Sequence, residues 1–282
     1  LVDYVFRSAE ATNDHPILID QFIENAFEFD VDALSDGEEV FVAGIMQHIE
    51  EAGVHSGDSS CVLPPYDMSS KVKKDIIDMT TKLALELNVI GLINLQFAVK
   101  DNEVYVLEVN PRSSRTVPFV SKYSNVPLAN IAAQLSVGRK ISDFNLNENR
   151  FKHTAVKKAV LPFKKFKDEK VFLGPEMKST GEVMGIDTEP GIAFLKAMQS
   201  DGYTVPRSGT AFVSITDVDK KRALPIIKDL EKLNFTIIAT KGTAEFLLEN
   251  NINCSPVFKV GEGRPNVVDE ILNDNIHLVI NT

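Results

Sequence analysis

Two neighbouring strand-forming segments, residues 91–100 and 103–112, constrain the fold of this chain more than any other feature. Both alternate apolar and polar side chains, and the residues between them, Asp101 and Asn102, are common in tight turns. The pattern therefore predicts a β-hairpin with one apolar face on a core and one polar face.

The register of this hairpin decides which polar side chains share a face. A three-residue loop, Asp101 to Glu103, would pair Lys100 with Val104 and keep the apolar residues of both strands together. A two-residue loop would place Glu108 against Leu95 and mix the faces, so the hydrophobic pattern favours the longer loop. The pairs expected on the polar face are Gln96 with Glu108 and Asn94 with Asn110, and those on the apolar face are Leu95, Phe97 and Val99 with Val109, Leu107 and Tyr105.

The polar face of the hairpin brings together three side chains that carry oxygen atoms, Gln96, Glu108 and Asn110. Mg²⁺ prefers oxygen ligands and commonly shares them with substrate phosphates. Arg112 and Arg115 follow directly and are suited to anionic groups. The alternative is that these are ordinary polar side chains on a solvated strand face, but the adjacent arginines favour a metal–nucleotide site.

The hairpin and one polar loop also carry a family resemblance. Residues 95–99 and 106–122, with Glu-Val-Asn-Pro-Arg at 108–112, resemble the large chain of carbamoyl phosphate synthetase. More narrowly, they are similar to the second of its two ATP-grasp halves. The run Gly-Val-His-Ser-Gly-Asp at 53–58 resembles the same family. The resemblance spans essentially the whole chain and implies a ligase that phosphorylates carbamate with ATP.

The resemblance implies roles for the hairpin residues. Gln96, Glu108 and Asn110 would hold Mg²⁺ or Mn²⁺ against the ATP phosphates, with Gln96 and Glu108 also in contact with the nucleotide. Arg112 and Arg115 would be the catalytic residues that orient the carboxylate-like acceptor and offset developing charge.

Length and composition bound the class of protein. The 282 residues favour two domains, and the net charge of −10 argues against a nucleic-acid-binding surface. The two cysteines are far apart and fit a reducing compartment. No signal peptide is present, and no apolar run approaches the roughly 20 residues of a membrane span. We therefore expect a cytoplasmic protein without membrane contact.

Patterns along the chain predict its organisation. Residues 1–141 are expected to form an α+β ATP-grasp C-terminal subdomain, and residues 142–206 a linker with one helix at 189–199. Residues 207–282 alternate strands and helices, which predicts an α/β Rossmann-like domain with a parallel sheet. The chain starts at Leu1 without methionine and stops in a strand, so we expect both domains to be truncated. The elements predicted in the first region are strands at 16–23, 26–33 and 38–46, the last two as a hairpin with an acidic outer face, and helices from Ser69 or Ser70 to Leu87 and from Pro127 to Gly138; those in the last region are strands at 210–216, 235–239 and 277–281, and helices at 219–233 and 243–250.

Two segments before the hairpin are candidates for nucleotide contact. Residues 20–23 would be the end of a buried strand on sequence alone, but they resemble the hinge on which ATP-grasp enzymes bind adenine. Residues 47–60 are either a solvated connection or a ligand-binding segment, and the resemblance favours the second. The nucleotide contacts that the resemblance implies are Gln21, Ile23, Glu28, Gly53, Val54, His55 and Ser56.

The resemblance also implies a potassium site and an effector site near this loop. Potassium would be bound by Glu28, His48, Glu51, Val54 and Ser59, with Glu51 in place of the family's glutamine. Glu50 and Asp58 match acids that bind ornithine in some members, but the third acid falls at Lys158. This reversed charge argues against ornithine activation.

The last domain contains a second candidate site where residues 239–244 pass from a strand to a helix. Free backbone N–H groups and the hydroxyls of Thr240 and Thr243 would form a phosphate cradle there, or a plain turn with a threonine N-cap. The pattern resembles the methylglyoxal-synthase-like domain that ends the same large chain and binds UMP or IMP. The effector contacts that the resemblance implies are Ser214, Lys220, Thr240, Thr243, Lys259 and Asn281.

Taken with these motifs, the resemblance implies part of a glutamine-hydrolysing carbamoyl phosphate synthase that works with a small glutaminase subunit in pyrimidine and arginine biosynthesis. One alternative is another ATP-grasp ligase or carboxylase, such as a biotin carboxylase. A second alternative is that this 282-residue piece is by itself a nucleotide-binding regulatory module without catalysis.

Overall fold

A computed structural model provides the coordinates, and it describes residues 21–146, 152–165 and 172–282. The chain divides into two compact units, residues 1–203 and 204–282. Among the described residues, no helix has both the length and the apolar character required to span a bilayer.

The first unit is built on a seven-stranded antiparallel sheet with the strand order β5-β4-β1-β2-β3-β6-β7. Strand β1 is therefore an interior strand that lies two strands away from the edge strand β5. The strands are β1 (Phe27–Asp36), β2 (Val40–His48), β3 (Cys61–Leu63), β4 (Ile90–Lys100), β5 (Glu103–Asn110), β6 (Thr154–Val160) and β7 (Gly181–Asp187).

Helices cover both faces of this sheet. Helix α1 (Ser70–Glu86) starts where the Ser69 hydroxyl accepts a hydrogen bond from the Val72 amide, as expected for a serine N-cap. Its apolar stripe packs on the face that carries Val31, and α2 and α3 pack on the face that carries Leu34. The remaining helices of the unit are α2 (Val117–Ser124), α3 (Leu128–Leu135) and α4 (Pro190–Ser200).

The predicted acidic outer face of the first hairpin is wrong. Glu28, Asp30 and Asp32 are 9%, 2% and 0% exposed, so the acids face the interior. Alternation along a strand tells which side chains share a face, but it does not tell which face is covered.

The predicted linker at residues 142–206 is also wrong. It contributes β6 and β7 to the sheet, and α4 packs on both strands. The hydrophobic pattern did not reveal β6, because this strand carries a buried lysine, Lys157, at a position where an apolar residue would indicate a strand.

In the hairpin that carries the metal-ligand candidates, the predicted polar pairs are confirmed. The turn and the strand register that produce these pairs differ from the prediction. The turn has two residues, Asp101 and Asn102, both with positive φ, which suits a two-residue hairpin. A bulge at Leu107 then restores the register, so that Gln96 opposes Glu108 and Asn94 opposes Asn110. The three-residue loop and the apolar pairs beyond the bulge are wrong: Phe97 opposes Val106, Val99 opposes Val104, and Leu107 and Tyr105 are 48% and 45% exposed.

Two further differences concern the first unit. Of the strand predicted at 16–23, residues 16–20 lie outside the described residues, and residues 21–23 are not in a strand. The sequence did not predict α2, which begins with Val117 and Pro118, a favourable residue pair for a first helical turn.

The second unit contains a four-stranded sheet in the order β10-β9-β8-β11, and the predicted parallel sheet is confirmed. Strand β10 was not predicted because it is four residues long and contains Pro256, a residue tolerated at a sheet edge. The elements are β8 (Gly209–Ser214), α5 (Lys220–Lys232), β9 (Phe235–Thr240), α6 (Lys241–Glu249), β10 (Cys254–Val257), α7 (Val267–Leu272) and β11 (Leu278–Asn281).

Candidate functional site

Three adjacent strands place polar side chains in two rows across the sheet. Asp30 on β1 opposes Gln96 on β4, which opposes Glu108 on β5. One step further, Asp32 opposes Asn94, which opposes Asn110. We call these six residues the polar floor. The sequence predicted the four residues of β4 and β5 but missed both aspartates, because their strand was expected to turn its acids to solvent.

Five of the six residues of the polar floor, all except Asp32, line a cleft of about 320 Å³. The structure brings the predicted residues Gln96, Glu108, Asn110, Arg112 and Arg115 together there. The cleft is also lined by Asp30, His55, Ser56, Gly57, Asn94, Ser114, Thr116, Lys157 and Met177. The lining residues, from Asp30 to Met177, thus come from well-separated parts of the sequence and meet in one site.

The floor suits a divalent cation. The Gln96 amide nitrogen donates to the Ser56 hydroxyl at 3.1 Å, which leaves its carbonyl oxygen for another partner. Glu108 is exposed, and within the described part of the chain its carboxylate makes no hydrogen bond or ion pair. The side-chain oxygen of Asn110 accepts a 3.3 Å hydrogen bond from Arg112. Side-chain oxygen atoms that are accessible in this way are the ligands that Mg²⁺ or Mn²⁺ requires.

The two arginines stand on the loop that follows β5. Arg112 is exposed and donates to the Ser113 carbonyl oxygen at 3.0 Å. Arg115 lies 3.5 Å from the Glu182 carboxylate and donates to the Ser179 hydroxyl at 3.2 Å. Both guanidinium groups line the cleft and can form paired hydrogen bonds to an anion.

A buried charge cluster lies beside the floor. Nε2 of His48 is hydrogen-bonded to Asp30 at 3.2 Å, and Nδ1 lies 3.2 Å from the Glu28 carboxylate. Burial opposes protonation, but Cys61 and the two carboxylates raise the pKa of His48 well above its ordinary value. The place of His48 between two carboxylates argues against a role as general base.

Lys157 is a site residue that the sequence did not single out. It is 1% exposed, and its ammonium donates to the Ser56 carbonyl oxygen at 3.2 Å. Burial disfavours its charge, yet Cys61, Glu182 and Asp30 raise the pKa of Lys157. One ligand atom each from Asp30, His48 and Cys61 lies within 4.8 Å of the others, but the nearby ammonium opposes a metal ion there.

The structure brings together only some of the residues that were expected to bind the nucleotide or potassium. The Gly53 amide donates to Glu28 at 3.0 Å, and the Ser59 hydroxyl donates weakly to the His55 carbonyl oxygen at 3.4 Å. Glu51 is exposed, unlike the buried Glu28 and His48. Val54 is half-buried, and Gln21 is exposed with Ile23 half-buried.

The acids that match an ornithine site are already engaged. Asp58 accepts hydrogen bonds from the Lys178 and Ser179 amides, each at 2.8 Å, and Glu50 accepts from the Ser60 amide. Lys158 forms a 2.6 Å ion pair with Asp201. This arrangement adds to the sequence argument against ornithine.

The second unit has its own polar cleft, of about 390 Å³, at the carboxyl ends of β8 and β9. Five of the six predicted effector residues line it: Ser214, Lys220, Thr240, Thr243 and Lys259. The sixth, Asn281, is at the end of β11 and is exposed. The Thr243 hydroxyl accepts from the Ile215 amide at 3.2 Å, so it also has a structural role. Helix α6 begins at Lys241, two residues before the predicted start.

An antiparallel α+β unit with oxygen donors beside arginines is typical of proteins that bind metal and nucleotide. Residues 1–144 match the family model described as Carbamoyl-phosphate synthase L chain, ATP binding domain, and residues 222–282 match the model described as MGS-like domain. The first match covers about half of the chain, and the chain belongs to the carbamoyl-phosphate synthase L chain, ATP-binding domain family. The resemblance drawn from the sequence is confirmed.

Relatives named carbamoyl phosphate synthase large chain align with 99% or more of this chain. The carbamoyl phosphate synthase large chain of Archaeoglobus fulgidus is 53% identical over 281 residues, which are 99% of this chain and 26% of the relative. That of Acidobacterium capsulatum is 54% identical over 287 residues, 99% of this chain and 26% of the relative. The C-terminal section from Aquifex aeolicus is 49% identical over 301 residues, 100% of this chain and 56% of the relative. The chain thus spans about a quarter to about half of these relatives.

Among solved structures, the biotin carboxylase domain of a single-chain bacterial carboxylase aligns with 56% of this chain and 37% of its own, at a TM-score of 0.47 and 17% identity. This likeness is too distant to favour a carboxylase over a synthase.

Proposed function

We propose that the chain is part of a glutamine-hydrolysing carbamoyl phosphate synthase and that its first unit contributes to the site where ATP phosphorylates carbamate. The observation that carries the proposal is that Gln96, Glu108 and Asn110 line the same cleft as Arg112 and Arg115. Cation ligands and anion-binding guanidinium groups side by side are what phosphoryl transfer to an anionic acceptor requires.

In the proposed reaction a carbamate oxygen attacks the γ-phosphorus of ATP. The new bond joins that oxygen to phosphorus, the bond from the γ-phosphorus to the β–γ bridging oxygen breaks, and ADP leaves. Arg112 and Arg115 hold the carbamate carboxylate in line and offset charge on the transferred group. A divalent cation on Gln96, Glu108 and Asn110 would neutralise phosphate charge. No covalent intermediate with the protein is needed.

The proposal includes the other ligands that the resemblance implies. Glu28 and Ser59 are buried next to the cleft and are the stronger candidates for a potassium site. His48, with both ring nitrogens next to carboxylates, and the exposed Glu51 are the weaker ones. The partner would be a small glutaminase subunit that supplies ammonia. The enzyme would act in the cytoplasm, in pyrimidine and arginine biosynthesis.

The test measures the partial back reaction, in which ATP forms from carbamoyl phosphate and MgADP. It uses the polypeptide that the gene encodes. We expect Arg115→Ala to lower kcat/KM by at least about a hundredfold. Arg139→Ala is the matched control, because Arg139 is an exposed arginine that packs on Phe144 away from the cleft. An unaltered polypeptide that makes no ATP from carbamoyl phosphate, but hydrolyses ATP in a biotin- and bicarbonate-dependent way, would favour the carboxylase alternative.

For the second unit we propose control by a nucleoside monophosphate such as UMP or IMP. The supporting observation is a cleft at the carboxyl ends of parallel strands, lined by Thr240, Lys220 and Lys259. We expect calorimetry to detect UMP or IMP binding that Lys259→Ala weakens by about tenfold. Lys232→Ala is the control, because Lys232 is exposed and forms an ion pair with Asp229. UMP binding without any MgATP binding by the 282-residue chain would favour the regulatory-module reading of this piece.

A further inference from the structure

The buried carboxylate of Asp32 accepts hydrogen bonds from two hydroxyls of the loop that carries the arginines. Ser114 donates to Oδ1 at 2.7 Å, and Thr116 donates to Oδ2 at 2.6 Å. The Asn94 amide donates to Oδ1 at 3.0 Å from the neighbouring strand. Asp32 is 0% exposed, so it acts through these contacts and cannot touch a ligand.

These contacts join the interior strand β1 to a loop more than 80 positions away in the sequence. The Ser114 and Thr116 hydroxyls lie 2.8 Å apart, and the Thr116 amide donates to the Ser114 hydroxyl at 3.2 Å. The loop is thereby folded into a compact turn on Asp32. Arg112 lies two residues before this turn, and Arg115 lies inside it.

The arginines have weaker ties of their own. Arg112 contacts the Ser113 carbonyl oxygen at 3.0 Å and Asn110 at 3.3 Å, and Arg115 contacts Ser179 at 3.2 Å and Glu182 at 3.5 Å. Both side chains are partly exposed, and such contacts contribute little to fixing a side chain. The short hydrogen bonds to the buried carboxylate are the stronger constraint on where the loop lies.

We propose that Asp32 is a positioning residue that fixes residues 112–116 on the polar floor and thereby aims the guanidinium groups of Arg112 and Arg115 into the cleft. A carboxylate suits this role because it accepts all three donors at once, whereas an amide presents a donor to one of the hydroxyls. The expected kinetic effects rest on the proposed function, whereas the positioning itself does not.

The first readout is the order of the arginine side chains. In ¹⁵N-labelled protein, we expect the heteronuclear NOE of the Arg115 Nε–H group to fall in Thr116→Val, which is isosteric but cannot donate to Asp32. Thr116→Ser restores the hydroxyl, and we expect it to restore the NOE. The same NOE in wild type and Thr116→Val would overturn the proposal, whatever the protein catalyses.

The second readout is the back reaction. We expect Thr116→Val and Asp32→Asn to raise KM for carbamoyl phosphate by about tenfold and KM for MgADP by less than about twofold. Thr80→Val is the matched control, because it replaces a buried threonine on α1, which packs on the opposite face of the sheet from α2, the helix that follows the loop. Equal rises in both KM values, or a lower melting temperature alone, would show a merely structural role. An inactive wild type would refute the proposed function, and the NOE would still decide the positioning.

Discussion

The side-chain amide of Gln96 donates a hydrogen bond to the hydroxyl of Ser56 at 3.1 Å. This contact joins the strand that carries the metal-ligand candidates to the loop that carries the nucleotide candidates. Lys157 donates to the carbonyl oxygen of the same Ser56, so a third segment is tied to that residue. Ser56 therefore joins β4, β6 and the 53–58 loop at the candidate site.

The pH dependence of stability should reveal the buried Asp32. Burial raises the pKa of Asp32 to about 6, although hydrogen bonds from Thr116, Ser114 and Asn94 lower it. An unfolded chain releases this proton near pH 4. Between about pH 4 and 6 the folded state therefore binds more protons, and its free energy of unfolding falls as the pH rises, by up to about 3 kcal/mol.

Urea denaturation of wild type and Asp32→Asn between pH 4.5 and 7.5 isolates this contribution. Other groups titrate equally in both proteins, so we expect the difference in unfolding free energy to move in favour of the variant as the pH rises. A difference that is the same at every pH would contradict the raised pKa of Asp32.

Gly185 should be intolerant of any side chain, because β7 and α4 approach closely there. An added Cβ would lie 2.6 Å from the Ala197 backbone nitrogen and closer still to the Ala193 carbonyl oxygen. We expect Gly185→Ala to lower the free energy of unfolding by about 3 kcal/mol or more, measured in urea. In Gly181→Ala, on the same strand, the nearest atom is the Val160 Cβ at 4.0 Å, and we expect a change within about 1 kcal/mol. Equal, small effects would mean that residues 181–200 do not pack as described.

Thr80 should be replaceable by valine with a gain in stability. Its hydroxyl is buried in α1, and within the described residues it has no hydrogen-bond partner. Removing an unsatisfied buried hydroxyl at constant shape is expected to stabilise by about 0.5–1 kcal/mol, measured by thermal unfolding. Thr81→Val, one position along the same helix and only half-buried, should not raise the melting temperature. A loss of stability in Thr80→Val would indicate that the hydroxyl has a partner after all.

The sequence predicted those parts of the site that depend on local pattern. Gln96, Glu108 and Asn110 share a face because side chains alternate along a strand, and this alternation can be recognised in a short stretch of sequence. The role of Asp32 in the site was not predicted, because its hydrogen-bond partners Ser114 and Thr116 lie 82 and 84 positions away in the sequence. No local pattern distinguishes a solvated acidic face from one that a distant loop covers.

The hairpin register was predicted for a partly wrong reason. The hydrophobic pattern correctly required Gln96 opposite Glu108, but the loop was assigned one residue too many, because positive φ at Asp101 and Asn102 cannot be derived from alternation. The difference of one residue is absorbed by the bulge at Leu107. The pattern thus fixed the pairing at the site, whereas the turn and the bulge depend on backbone conformations that the pattern does not encode.

We expect that Leu107 can be deleted without loss of the polar floor. Deletion would leave Val106 opposite Phe97 and Glu108 opposite Gln96 in a regular ladder. We expect Mn²⁺ affinity, measured by electron paramagnetic resonance, to stay within about threefold of wild type and to fall more than about tenfold in Glu108→Gln. Deletion of Val109 is the matched control, because it brings Asn110 opposite Leu95 and should weaken Mn²⁺ binding. If deletion of Leu107 abolished Mn²⁺ binding as Glu108→Gln does, the bulge itself, and not the pairing, would build the site.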